Sequence, residues 1–203
     1  MALLDLFNRK KKISCMDSGI WMIDDLLNDA ECDKIIGRIE ERGFKVARQY
    51  DKGRHNKETF IVEKDVEEKL IAVFDKLKLV SPEKTVEIEK VSHPLEFYKY
   101  DKGDYITCHT DAPREIEKDL WSEYTLVLYL NDNYYGGETN FPVRHIKVTP
   151  RKGCGLIFDQ RYDHEACEVG EGTKYILRTN CLTKGMKPGP KPEPPKGTPP
   201  PKK

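Results

Sequence analysis

Apolar residues follow two rhythms along this chain, and the rhythm changes near Pro82. Before it, Ile35, Ile36 and Ile39 recur at helical spacing. Asn28 or Asp29 can cap that run, and Gly43 can end it. Leu70, Val73, Phe74 and Leu77 repeat the spacing and predict a second amphipathic helix over residues 65–77. Residues 19–27 read as a strand running into the first helix, and 59–62 as a short strand. After Pro82 the runs shorten. They predict strands over 85–90, 95–100, 105–111, 124–131, 139–142, 146–149, 155–159 and 174–183, punctuated by Asn133, Gly136-Gly137, Pro150, Gly153, Gly170 and Gly172. Helices followed by many short strands predict an α+β, mainly β fold. The expected architecture is a double-stranded β-helix (jelly roll) with N-terminal helices packed on one sheet.

The ends read differently. Residues 1–16 are expected to be a loose leader carrying the basic run Arg9 to Lys12. Residues 17–184 form the domain, and residues 185–203 form a Pro/Lys-rich disordered tail. That tail holds eight of the 13 prolines, so it cannot build a core and favours an extended, polyproline-II-like chain. Lys+Arg and Asp+Glu are both 35, but five Lys against one Glu give the tail +4 and leave −4 on the rest. The zero total, with no basic stripe interleaved with aromatics, argues against nucleic acid as a partner. No apolar run approaches the roughly 18 residues of a membrane span, so no membrane partner is expected. The first residues are too short and too acidic an apolar run for a signal peptide. The six cysteines show no CxxC pairing, so reduced thiols and a cytoplasmic location are expected. The oligomeric state stays open.

Candidate chemistry gathers between Tyr100 and Asp111. On a strand, His109 and Asp111 share a face. Far downstream lies His164. Two histidines and one carboxylate occupy one face of an octahedron and leave three positions free, the arrangement of a non-haem Fe(II) oxygenase. His-x-Asp by itself is common and usually sits in a surface turn, so the context decides. That context is Tyr100-x-x-Gly103, the apolar Tyr124 to Asn131 run, Gly136-Gly137-Glu138-Thr139, the Pro150-x-x-Gly153 turn, and Lys174 ten residues after His164.

In order and spacing these elements resemble the prolyl 4-hydroxylase-like Fe(II)/2-oxoglutarate dioxygenases, from about Gly19 to Thr183 and most densely from Leu95. The resemblance implies His109, Asp111 and His164 as iron ligands and catalytic centre. Lys174 takes the position that binds the 5-carboxylate of 2-oxoglutarate, with Tyr129 supporting it. Thr125 and Val127 line the pocket, and Tyr100 offers another hydroxyl. The implied cofactors are Fe(II), 2-oxoglutarate and O2, with ascorbate as an accessory reductant. The implied reaction hydroxylates a substrate C–H, releasing succinate and CO2, on a prolyl residue of a protein or peptide. Asp111 argues against a halogenase, in which a small residue stands at that position. The alternatives are a hydroxylase of another side chain or small molecule, or a catalytically silent jelly-roll binding module. Arg178, four residues past Lys174 on the same face, is a second candidate cation, though a core-edge salt bridge is the plainer reading. Trp121 either closes over substrate or packs against the rim, Cys108 is expected in the sheet packing away from the metal, and His55, His93 and His145 on the surface.

Overall fold

Along Leu120–Tyr129 the side chains alternate between two cores. Leu126 and Leu128 face an outer core with Ile157 and Leu177, while Val127 and Tyr129 face an inner one with Phe141, Phe158 and Ile176. A strand apolar on both faces must be covered twice. The computed structural model describes residues 12–47, 53–60, 68, 71, 77–185 and 188–190, and there both covers are present.

The larger sheet has ten strands among the described residues. Its antiparallel path runs Ile13–Asp17, Ile20–Ile23, Gly155–Asp159, Leu120–Tyr129, Lys174–Lys184, Glu96–Tyr100, Lys57–Phe60 and Lys45–Val46. A five-stranded sheet faces it, in the order Ile146–Val148, Thr139–Phe141, His164–Ala166, Tyr105–His109 and Arg54–His55. The inner core fills the space between these sheets, so the mainly β jelly-roll expectation is met. Outside the larger sheet, Cys32, Ile35 and Ile39 of the helix Asp29–Arg42 pack into the outer core beside the hairpin Leu77–Val80/Thr85–Ile88.

That helix starts and stops where its sequence directs. Asn28 accepts from Glu31 N at 2.9 Å while Glu31 accepts from Asn28 N at 2.8 Å, a reciprocal capping box. Gly43, at φ 79°, ends it. The expected second helix falls mostly outside the described residues, apart from Glu68 and Ile71, both helical. Its predicted end is corrected: Leu77 opens a strand, because Leu77 and Leu79 are buried while Lys78 and Val80 are exposed, a period of two.

Other boundaries also move. Residues 13–16, read as leader, belong to Ile13–Asp17, which pairs with Ile20–Ile23 across a turn where Gly19 takes φ 93°. The tail beyond Gly185 lies outside the described residues except for 188–190. The central strand begins at Leu120 rather than 124, because Arg114–Glu117 folds back on it through Asp119 at φ 62°. His164–Ala166 was not predicted; it is too short to show a pattern and is held by pairing on both sides.

Gly153 ties the central strand to the helix start. Its N–H donates to Tyr129 O at 2.8 Å and its own carbonyl accepts from Leu27 N at 3.2 Å. At φ +75°, an added Cβ would fall 2.1 Å from Leu27 O. Left-handed backbone alone costs a non-glycine residue roughly 1–2 kcal/mol. With the clash added, Gly153→Ala is expected to lose at least about 2 kcal/mol, lowering the melting temperature by about 4–8 °C in a domain of this size. Thermal melts followed by circular dichroism check this, and an unchanged midpoint would show that the turn relaxes freely.

Candidate active site

Three side chains converge at one end of the inner core. His109 closes one strand, His164 opens its antiparallel neighbour, and the two are register partners. Such partners stand about 4.5–5.5 Å apart at Cα, which brings the two rings to 4.3 Å between centroids. Asp111 lies two residues past the strand end rather than on it, with Oδ1 3.9 Å from His109 Nε2. One donor atom from each of the three lies within 4.8 Å of the others.

The tautomers follow from the hydrogen bonds. His109 Nδ1 is 2.8 Å from Thr107 O, and His164 Nδ1 is 2.9 Å from Tyr162 O. A carbonyl only accepts, so in the neutral rings Nδ1 carries the proton and Nε2 keeps its lone pair. Burial pushes His164 down to about 4, against the pull of the Asp111 charge, so its ring is neutral near pH 7. That is the state a metal ligand requires.

Asp111 is held as an anion with one oxygen already engaged. Thr125 Oγ1 donates to Oδ2 at 2.5 Å and Arg178 Nη2 donates to the same oxygen at 3.0 Å. Burial alone would raise this carboxyl. Arg178, then His164 and the Thr125 hydrogen bond, outweigh it and hold the group well below the usual carboxylate range. Oδ1 is left on the side of the histidines. Arg178 also approaches Glu96 at 3.5 Å.

A cavity of about 450 Å³ runs from this cluster to Lys174, past Tyr100, Ile106, Val127, Thr139 and Ile176. Lys174 is 1% exposed, and its Nζ donates to Gly137 O at 2.7 Å. Among the described residues no carboxylate forms an ion pair with it. Burial pushes Lys174 down to about 8, with Cys167 and Glu138 pulling back only in part. A buried ammonium without a counter-charge is costly, and an anionic ligand would relieve that cost. The donor set at one end fits Fe(II) with three open positions, and the cation at the other end fits a carboxylate.

The remaining predicted residues take these places. Tyr100 lines the cavity, its ring centre 4.9 Å from Lys174 Nζ. Tyr129 is fully buried behind the lining. Its hydroxyl is 2.8 Å from Thr139 Oγ1 and its ring centre 5.8 Å from Nζ, so Thr139 is the residue that reaches the cavity. Thr125 and Arg178 both line the cavity and both serve Asp111. Arg54, which sequence reasoning missed, enters from a two-residue strand with its guanidinium 4.6 Å from the Tyr98 ring centre. No periodicity marks so short a strand. Trp121 is half-buried, opposite Glu115 and Thr183. His55, His93 and His145 are exposed. Cys108 is exposed too, a correction: among the described residues the small sheet packs through one face.

Residues 95–181 match the model of the 2OG-Fe(II) oxygenase superfamily. No protein of curated function matches the chain by sequence. Several solved structures share its fold. The viral collagen prolyl hydroxylase of Paramecium bursaria Chlorella virus-1, in complex with 2OG, is 22% identical, with TM-score 0.56, over 81% of this chain and 96% of that one. A Pseudomonas putida prolyl-4-hydroxylase is 17% identical, with TM-score 0.60, over 82% and 94%. A Trichoplax adhaerens prolyl hydroxylase in complex with a hypoxia inducible factor peptide fragment is 18% identical, with TM-score 0.58, over 81% and 84%.

The lone ammonium has a thermodynamic signature. Folding lowers Lys174 from 10.5 to about 8. Between those values the unfolded chain binds more protons, so stability rises with pH; below about 8 the full cost of the buried charge is felt. Over that window wild type is expected to gain about 3 kcal/mol relative to Lys174→Met. Urea unfolding of both proteins at pH 7.5 and pH 10 reads the difference. Parallel pH profiles would mean that Lys174 is not titrating in the folded protein.

Proposed function

We propose that this chain, whose residues 95–181 match the 2OG-Fe(II) oxygenase superfamily, is an iron(II)- and 2-oxoglutarate-dependent dioxygenase that hydroxylates a prolyl residue in a protein or peptide. The observation that carries the reading is one cavity holding a two-histidine, one-carboxylate cluster at one end and a solitary buried ammonium at the other. The prolyl assignment is supported by the fold shared with three prolyl hydroxylases, one of them bound to a peptide.

Each residue of the cavity has its own role. His109, Asp111 and His164 would hold the iron, through the two histidine Nε2 atoms and one carboxylate oxygen. Lys174 binds the distal carboxylate of 2-oxoglutarate, while Tyr100 and Thr139 line the path of its chain. Tyr129 fixes the Thr139 hydroxyl and acts from behind. Thr125 and Arg178 keep Asp111 ionised and engage the oxygen turned from the histidines. Phe158 and Ile176 keep water from the space between. When bound, iron and 2-oxoglutarate supply the oxidising power: O2 is consumed, succinate and CO2 leave, and one oxygen atom enters the substrate C–H bond. Glu96, Arg178 and Glu165 give the cavity polar groups that can meet a peptide backbone.

Two measurements test the assignment. Removing one member of a buried charge pair costs about 3–5 kcal/mol, so Lys174→Ala is expected to weaken 2-oxoglutarate binding by about a hundred- to several-thousand-fold with iron binding kept. His109→Ala, Asp111→Ala and His164→Ala are expected to lose iron itself. Only the ammonium binds the carboxylate, and free Lys174 titrates at about 8. The wild-type dissociation constant should therefore be flat below that pH and rise about tenfold per unit above it. Lys174→Arg should remove the inflection. Calorimetric titrations report all of this, and a pH-independent wild type would exclude Lys174 from the cosubstrate site.

The substrate class is tested by incubating the protein with a peptide library, Fe(II) and 2-oxoglutarate. Products heavier by one oxygen atom on proline, with matching succinate, are expected. Products confined to other side chains would overturn the prolyl assignment and leave the dioxygenase standing.

A further inference from the structure

The segments that carry Asp111 and His164 meet at one buried point on the central strand, Ser122. Lys174–Lys184 holds one edge of that strand along its whole length. On the other edge Gly155–Asp159 pairs from Tyr124 to Leu128, and Arg114–Glu117 takes over from Ser122 back to Leu120. Arg114 follows Asp111 by three residues, and Gln160 precedes His164 by four. Such lengths span at most about 11 and 14 Å. Both site residues are therefore tethered short to the place where the two partner strands abut.

Ser122 touches both tethers. Its Oγ accepts from Arg114 N at 3.1 Å, and its one proton faces Arg114 O at 3.3 Å and Gln160 Oε1 at 3.5 Å. Gln160 also covers a break in the central strand. The register with Lys174–Lys184 shifts between Ser122 and Tyr124, which leaves Glu123 as an extra residue. Bulges of this kind re-aim side chains beside functional sites. Gln160 N donates to Glu123 O at 2.9 Å, and its Nε2 donates to Asn180 Oδ1 at 2.9 Å and Tyr124 O at 3.4 Å. Asn180 is the register partner of Thr125, whose hydroxyl holds Asp111.

Ser122 and Gln160 are each 1% exposed, and neither lines the cavity. A buried amide is costly unless its polar atoms are used. Here every one of them is spent on the bulge and on the two tethers. Asp111 needs such outside support, because it lies two residues past the end of its strand. Thr125 and Arg178 fix its carboxylate, and the next fixed point of its main chain is Arg114.

Resting on the reading of His109, Asp111 and His164 as iron ligands, we propose that Gln160 is a positioning residue of the metal site. Through Ser122 and the bulge it sets the spacing between the segment that brings Asp111 and the segment that brings His164.

The test is the metal affinity of the full chain, with Mn(II) as the probe and calorimetry as the readout. Partners directly behind metal ligands are worth about 10–100-fold in affinity. Gln160 stands one step further back, so Gln160→Leu is expected to weaken Mn(II) binding by about tenfold, the lower end of that range. It should also shift the visible absorption bands of the Co(II) protein, which report ligand geometry. Leu79→Ala, at a fully buried position in the outer core, controls for lost stability. It should lower the melting temperature and leave Mn(II) affinity and the Co(II) bands as in wild type. Ser122→Ala should repeat the Gln160→Leu loss, and the Q160L/S122A double variant should lose no more than either single one. Wild-type affinity in either single variant, an equal loss in Leu79→Ala, or additive losses in the double variant overturns the proposal and leaves the metal site standing. Should Gln160→Leu not fold, Ser122→Ala decides, since it removes a single oxygen atom. A wild type that binds no Mn(II), or binds it equally well after His164→Ala, overturns the metal-site reading, and the positioning role falls with it.

Discussion

The site depends on the register between Leu120–Tyr129 and Lys174–Lys184. Val127 lies opposite Arg178 and Tyr129 opposite Ile176. A slip of one residue would turn Lys174 and Arg178 into the outer core and Leu177 into the cavity. What forbids the slip is apolar: Leu126, Leu128 and Leu177 are fully buried on the outer face. Exposing each would forfeit about 1.5–3 kcal/mol, and burying two cations among aliphatics would cost more. The greasy outer face therefore aims the polar inner one. The helix Asp29–Arg42 contributes to the site through the same wall, without touching it.

The two cations on that inner face do different work because their surroundings differ. Arg178 has carboxylates on two sides, Asp111 and Glu96, and its pKa rises despite burial. Its fork suits a carboxylate, and its charge is already satisfied. Lys174 has a carbonyl and two aromatic rings, and its pKa falls. Only the second arrangement leaves affinity for an incoming anion. Position along the strand could not separate the two residues, because Lys174 and Arg178 share a facing; the neighbours across the cavity do.

Sequence pattern reaches as far as local signals do. The capping box at Asn28 and Glu31, the stop at Gly43 and the strand Gly155–Asp159 are local, and they were readable directly. The meeting of His109, Asp111 and His164 was readable from spacing and order, although Asp111 lies past its strand. Hydroxyl partners were not readable. Thr125 and Tyr129 were placed on the correct face, but their turning toward Asp111 and Thr139 depends on a loop and a second sheet distant in the chain. Arg54 gave no signal, since its two-residue strand exists only by pairing with Tyr105 and Ile106. The end of the second predicted helix failed for the opposite reason: Leu77 satisfies a helical and an alternating pattern equally well, and the hairpin decides.

An open end and a closed end impose an order on ligands. The cavity's exposed lining residues, Thr107 and Thr110, flank His109, whereas Lys174 is buried at the other end. On the proposed reading, a peptide lying over the exposed mouth would shut the path to Lys174. On that reading a small dianion would be seated before a peptide, and its arrival would supply the counter-charge that the floor at Lys174 lacks. Arg178 joins the two events. It holds Asp111 with one nitrogen and faces Glu96 with another, and Glu96 lines the cavity from the neighbouring strand. The same guanidinium thus links the carboxylate that faces the metal position to Glu96 in the cavity lining.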